Sequence, residues 1–187
     1  MLTELDALVG SRKQENSFAL LFSEIDENSA KEIVEWILMA NFAEGEDRPS
    51  ILNLMINSPG GDLSAGFALV DVMRGSAIPI RTIGLGQIAS AGLMIFLAGE
   101  KGQRVLTPNT SIMSHTFSSG IYAKQHELVA IRKEFDLTHN RILDHYVKCT
   151  NLSVADIEEK LLTKSDVFLS AQEALELGVC DIVSELK

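Results

Sequence analysis

Ile51-Leu52-Asn53-Leu54-Met55-Ile56-Asn57-Ser58-Pro59-Gly60-Gly61-Asp62 is the stretch that decides the fold. Its first six residues are almost continuously apolar and too few for a buried helix. They read as a strand covered on both faces, as in sheets sandwiched by helices. The remaining six are a dense turn signal. A helix follows, with Phe67, Val70 and Met73 at helical spacing, and ends near Gly75. Pro79 to Leu85 then reads as the next strand. Strand, turn, helix and strand in this order make a βαβ unit, which implies a mainly parallel sheet and an α/β fold.

The same alternation extends outward. Upstream, Phe18 to Phe22 is a short strand, a helix from about Ser29 carries Ile33, Ile37 and Leu38 on one stripe, and residues 43–50 are a loop. Downstream, Ala89 to Ala98 is an apolar helix closed by Gly99, followed by strands at Arg104 to Leu106 and Ser111 to Ser114. From about Tyr122 to Cys149 the composition turns charge-rich. Leu128, Ile131, Phe135, Ile142 and Tyr146 recur there at three- and four-residue steps, the pattern of one long helix. Such a helix is too long to lie wholly on one small sheet, so it is expected to project and bury its stripe against another subunit. Ser153 opens a further helix in a capping arrangement. Ser170 to Leu177 is a short helix stopped by Gly178, and Val179 to Val183 is a last strand. The expected organisation is an N-terminal segment over residues 1–17 and one α/β domain over residues 18–187, without internal repeats.

Composition excludes several classes. Sixteen Lys and Arg against 26 Asp and Glu give a net charge of −10. With no basic run to offset it, that charge repels a phosphate backbone and argues against nucleic-acid binding. Cys149 and Cys180 stand far apart and outside any CxxC pattern, which excludes a disulfide framework and a cysteine-based zinc site. They fit a reducing compartment, and the cytoplasm is the expected location. Met1 to Arg12 lacks the pattern of a secretory signal. The apolar run Leu93 to Ala98 falls far short of the ~20 residues that span a bilayer.

Three places carry possible chemistry. In Gly86-Gln87-Ile88-Ala89-Ser90-Ala91-Gly92 a strand gives way to a helix beside Ser90, which exposes a hydroxyl where free N–H groups favour negative charge. A serine at a helix start is most often simply a cap. Gly60-Gly61 follows a buried strand at the edge of a parallel sheet where ligand sites lie, and glycines there free amides to face an oxyanion. The amides of Gly61 and Ala91 together can supply two donors, although an ordinary strand-to-helix turn has the same sequence. His115 ends a strand, within potential reach of Ser90 as a general base, whereas a lone histidine is more often a packed or surface residue. His126, His139 and His145 lie in the long helix at spacings other than that of a helical metal pair, and no metal site is expected.

Taken in order, these motifs resemble the Clp protease proteolytic subunit family from about Phe18 to Val183. The resemblance rests on Ile56 to Gly61, Gly86 to Gly92, Ala98 to Arg104, Leu106 to Asn109, Ile112 to His115, Asp166 to Ala174 and Leu177 to Asp181. It implies Ser90 as nucleophile, His115 as general base and Asp166 as the carboxylate that orients the imidazole, with Gly61 and Ala91 as oxyanion donors. Pattern alone leaves Asp62, Asp136 and Asp144 equally open for the third role. The implied fold is a ClpP/crotonase-like spiral of βαβ units with a protruding handle helix. The implied assembly is a heptameric ring, single or stacked in pairs, that encloses the active sites. An AAA+ unfoldase uses the ATP and feeds in unfolded protein, and the subunit itself needs no cofactor.

The chain departs from the family pattern at several points. Ser114 replaces an isoleucine, Thr116-Phe117 replaces Gln-Pro, the glycine-rich segment is reduced to Ser118-Ser119-Gly120, and Ser165 replaces an arginine tied to contact between rings. The N-terminal segment is acidic and polar where the family has apolar axial loops. Three alternatives remain: a non-catalytic or modulatory ring subunit, a crotonase-type enzyme acting on CoA thioesters, and a phage capsid-maturation protease of the same fold.

Overall fold

The computed structural model describes residues 17–118, 120 and 124–186. Its strands are β1 (Phe18–Leu21), β2 (Leu52–Ser58), β3 (Ile80–Ala89), β4 (Arg104–Leu106), β5 (Ser111–Ser114), β6 (Val167–Ser170) and β7 (Ile182–Val183). Its helices are α1 (Glu27–Phe42), α2 (Leu63–Gly75), α3 (Ala91–Leu97), α4 (Leu128–Cys149), α5 (Val154–Lys160) and α6 (Ala171–Glu176), with a single 3-10 turn at Gly45–Asp47. The strands run β1-β2-β3-β4-β7 in parallel, the mixed α/β architecture expected from the βαβ pattern. β2 is buried on both faces along most of its length, as its continuous hydrophobicity requires.

β3 determines where the site lies. Expected to stop at Leu85, it continues to Ala89. Its first half pairs with β4 through Thr82, Ile83 and Gly84, and its second half pairs with β5 through Gln87, Ile88 and Ala89. Gly86, at φ 62°, allows the change of direction between the halves. The extra pairing overrides the helical tendency of small residues, so the helix expected from Ala89 begins only at Ala91. β2 matches the bend with a register shift between Ile56 and Ser58, where Asn57 Oδ1 accepts from the Gln87 amide at 3.2 Å. All seven residues of α3 are buried, consistent with its all-apolar sequence.

Other boundaries differ for identifiable reasons. α1 begins at Glu27, two residues before the expected start, because Asp26 closes a capping box with Ser29. The last strand is only Ile182–Val183, because the amides of Val179 and Cys180 turn back to the Ala174 carbonyl at the end of α6. The long helix starts at Leu128 after a turn over residues 124–127, and the expected start at Tyr122 lies outside the described residues. β6 was not anticipated: four residues are too few to show a period, and only its antiparallel pairing with β5 defines it. No helix among the described residues is long and apolar enough to cross a membrane.

α4 divides in two. Its C-terminal half buries Thr138, Ile142, His145 and Tyr146, while Leu128, Val129 and Leu137 in the other half are exposed. His145 is fixed as a neutral ring: Nε2 meets the Met94 carbonyl and Nδ1 meets the Arg74 guanidinium, at 2.8 and 2.7 Å. With a carbonyl on one nitrogen and a cation on the other, Nε2 donates and Nδ1 accepts. Burial, aided by the Arg74 and Lys148 charges, lowers its pKa from 6.5 to about 4, against the opposing pull of the Met94 carbonyl.

The unfolded chain therefore binds a proton between pH 6.5 and 4 that the folded chain refuses, and stability falls as pH drops through that window. The expected loss is about 3 kcal/mol, and His145→Gln should flatten this part of the stability–pH curve. Denaturant unfolding at pH 7, 5.5 and 4.5 checks it. Equal slopes in parent and variant would refute the assignment.

Candidate active site

The N-terminal end of α3 forms the site. Ser90 links β3 to α3 and is the one non-glycine residue at positive φ among the described residues (φ 53°, ψ −122°). This is the conformation of the first central residue of a type II′ turn, where glycine is usual. For serine it stores roughly 1–3 kcal/mol, which the surrounding contacts must hold in place. The Ser90 amide donates to the Met113 carbonyl at 3.0 Å, pinning the turn to β5. Ser90 makes no side-chain capping bond. Its Oγ instead lies 2.8 Å from His115 Nε2, so the helix-cap reading of Ser90 is set aside.

Strand register brings the third residue in. β5 and β6 pair antiparallel through Ser111–Ser170, Ile112–Leu169, Met113–Phe168 and Ser114–Val167. One step further along the same register, His115 faces Asp166. His115 Nδ1 and Asp166 Oδ1 stand 3.5 Å apart, slightly beyond hydrogen-bond length. Such contacts are often loose without substrate. The imidazole is mostly covered, whereas the carboxylate is half exposed. Of the other aspartates left open by the sequence, Asp62 caps α2 through the Ala65 amide and Asp136 pairs with Arg132 on the surface. Asp144 lines a separate cleft with Arg74 and Lys148.

Gly60 and Gly61 border the same turn. A Cβ on Gly60 would lie 2.7 Å from Ser90 Cβ and 2.9 Å from the Ala89 carbonyl, so only glycine permits this approach. Gly61 forms a parallel bridge with Ile25: the Ile25 amide donates to the Gly60 carbonyl, and the Asp62 amide donates to the Ile25 carbonyl. In such a bridge the central residue turns its own amide to the opposite side. Ala91, as the first residue of α3, has no helical acceptor for its N–H. The Ala91 amide adjoins the Ser90 turn directly, and Gly61 follows Gly60, which comes close to Ser90.

A cavity of about 430 Å³ opens next to this turn, walled by Gly61, Leu63, Phe67, Phe117 and Phe135. Phe117 and Phe135 meet edge to face at 5.5 Å between centroids, and Arg141 lies over the Phe67 ring at 5.0 Å while pairing with Glu134. Phe117 also borders the small space between Ser90 and His115. The other histidines stand apart: His126 and His139 are near Glu127 and Glu158 on the surface, and His145 belongs to the core. Among the described residues no group of His, Cys, Asp and Glu is placed to hold a metal ion. Both cysteines are free, and burial raises the Cys180 thiol to about 11.

A serine on a strained strand-to-helix turn, with an imidazole on its hydroxyl and a carboxylate behind the ring, is the constellation of hydrolases that attack carbonyls through a hydroxyl. The chain belongs to the Clp protease family, whose model matches residues 8–187. Among solved structures it is similar to a ClpP1 point mutant from Listeria monocytogenes, at 25% sequence identity and a TM-score of 0.81. The match covers 99% of this chain and 98% of that one.

Sequence reasoning overlooked β6, the element that sets the height of Asp166, and Leu63, which walls the site; it marked Phe117 as a departure from the family pattern but not as part of that wall. It also treated Tyr146 only as part of an apolar stripe. Strong β-formers in Val167-Phe168-Leu169 were the available signal for the strand. No local pattern marks the rest.

Proposed function

We propose that this chain is the proteolytic subunit of an ATP-dependent protease, a serine endopeptidase that cleaves peptides and unfolded proteins within an oligomeric chamber. The observation that carries the reading is the 2.8 Å contact between Ser90 Oγ and His115 Nε2 at a strained turn. In the proposed mechanism His115 Nε2 takes the hydroxyl proton as Oγ attacks the substrate carbonyl carbon. The oxygen of that carbonyl becomes an oxyanion, which accepts from the amides of Gly61 and Ala91. The imidazolium presents Nδ1–H to Asp166, then returns the proton to the leaving amine. Water, deprotonated by the same imidazole, releases the acyl group from Ser90. The cavity bounded by Phe67, Phe117 and Phe135, with Asp62, Glu134 and Arg141 also in its wall, offers a site of mixed apolar and charged character for a substrate side chain.

Exposed apolar surface supports the oligomeric part of the proposal. Phe18 and Leu20 on β1, Phe22 just after it, Met39 and Phe42 on α1, and Leu128, Val129 and Leu137 on α4 are exposed in the single chain. Ring formation, and for α4 the contact of one ring with another, would remove this surface from water. In this reading ATP is consumed by an AAA+ partner, and the subunit itself carries no cofactor.

The test is direct. Purified protein should cleave fluorogenic peptides without ATP, bind a fluorophosphonate probe covalently at Ser90, and scatter light with a mass near seven times the 20.4 kDa of one chain. Peptide turnover that appears only on mixing with a catalytic relative would identify a modulatory subunit instead.

A further inference from the structure

Two buried hydroxyls meet immediately before the histidine. Ser114 Oγ and Tyr146 Oη are 3.2 Å apart, and both side chains are almost wholly removed from solvent. Among the described residues each is the other's side-chain hydrogen-bond partner. The contact joins α4 to the last residue of β5. Ser114 is also the β5 residue whose pairing with Val167 fixes the height of the next pair, His115 and Asp166. Tyr146 reaches the reacting groups as well: with Leu63, Met94 and Ile142 it walls the small space that Ser90 and His115 share.

We infer that Tyr146 is a positioning residue that, by holding Ser114, fixes the imidazole of His115 between Ser90 and Asp166. The inference rests on the peptidase reading given above. A hydrogen bond between two buried hydroxyls is directional, and losing one partner leaves the other without water to replace it. A purely apolar contact at this point would allow the strand end to slide along the helix. The effect is geometric, not a matter of charge. Burial raises the Tyr146 hydroxyl to about 12, so it stays protonated at working pH, and apart from His115 its neighbours in the small space carry no acidic or basic side chain. Asp166, the residue just before β6, presents its carboxylate to the ring.

The test compares parent, Tyr146→Phe, Ser114→Ala and Ser114→Thr as full chains. Tyr146→Phe and Ser114→Ala should each slow fluorophosphonate labelling of Ser90 by about tenfold or more at neutral pH. They should also move the His115 titration midpoint, read by histidine NMR, by about half a pH unit or more. Ser114→Thr, which keeps a hydroxyl, should recover most of the rate. A merely structural pair would lower the melting temperature and leave the midpoint in place.

A folded Tyr146→Phe variant with labelling within about twofold of parent and an unmoved midpoint would overturn the inference. If Tyr146→Phe does not fold, Ser114→Ala carries the same comparison. A parent that is never labelled would refute the peptidase reading alone, since the NMR midpoint still reports whether the pair positions His115.

Discussion

Ser90→Ala is expected to lower peptide turnover by at least about 10³-fold while the protein keeps its fold and oligomeric mass. The magnitude follows from the role proposed for one atom. With Oγ gone, His115 has no hydroxyl to deprotonate, and the two free amides retain only whatever stabilisation they give to attack by water. His115→Ala should reach a similar floor, and the double variant should lose little more, because nucleophile and base act as a unit. Folding should be spared or slightly favoured. Ser90 occupies a glycine-like conformation that alanine tolerates no better, but alanine removes the need to keep a hydroxyl aligned. Activity assays with fluorogenic peptides, together with thermal melts, separate these effects. Turnover by Ser90→Ala within tenfold of parent would end the nucleophile assignment.

How far the sequence reveals this site depends on how local each contact is. The βαβ pattern around residues 51–85 is local, since it follows from hydrophobic period and turn residues, and the parallel sheet agrees with it. Ser90 is half legible. Small residues mark the turn, but the same letters describe a helix cap, and only φ 53° tells the two apart. That angle comes from β3 extending to pair with β5, a tertiary contact invisible in Gly86 to Gly92.

Asp166 is the opposite case. Nothing in its own neighbourhood selects it over Asp62 or Asp136. It reaches His115 because an antiparallel strand of four residues has one particular register, and a shift of one residue would turn its side chain to the other face. Ser114 and Tyr146 belong to the same class of fact. Thirty-two positions separate them, and in sequence one is a small polar residue in a strand and the other an apolar residue in a helix.

Arg104 and Asp181 show the same principle at its largest energetic scale. They sit in two of the motifs that carried the family resemblance, Ala98 to Arg104 and Leu177 to Asp181, and neither motif explains itself. In the structure Arg104 is 2% exposed and grips Asp181 through Nε and Nη2, at 2.8 and 2.6 Å. The amides of Gly102 and Arg104 donate to the same carboxylate, and Nη1 donates to the Cys149 carbonyl at 2.7 Å. One guanidinium therefore joins β4, the C-terminal end of α4 and the segment leading into β7. Burial works to raise the Asp181 pKa, but the Arg104 bonds and the two amides outweigh it and hold the carboxyl below its usual range.

Removing Asp181 leaves the Arg104 guanidinium buried and unmatched, and removing Arg104 leaves a partly buried Asp181 carboxylate with only its two amide donors; the loss is about 3–5 kcal/mol. Arg104→Met and Asp181→Leu should each show that loss in denaturant unfolding at fixed protein concentration. The double variant should be less destabilised than the sum of the singles, because it strands no charge. If Arg104→Met lost under about 1 kcal/mol, the pair would be no more than a surface-grade ion pair. The attachment of α4 would then rest on the apolar contacts of Ile142 and Tyr146 and on the bonds that tie His145 to Met94 and Arg74 and Tyr146 to Ser114.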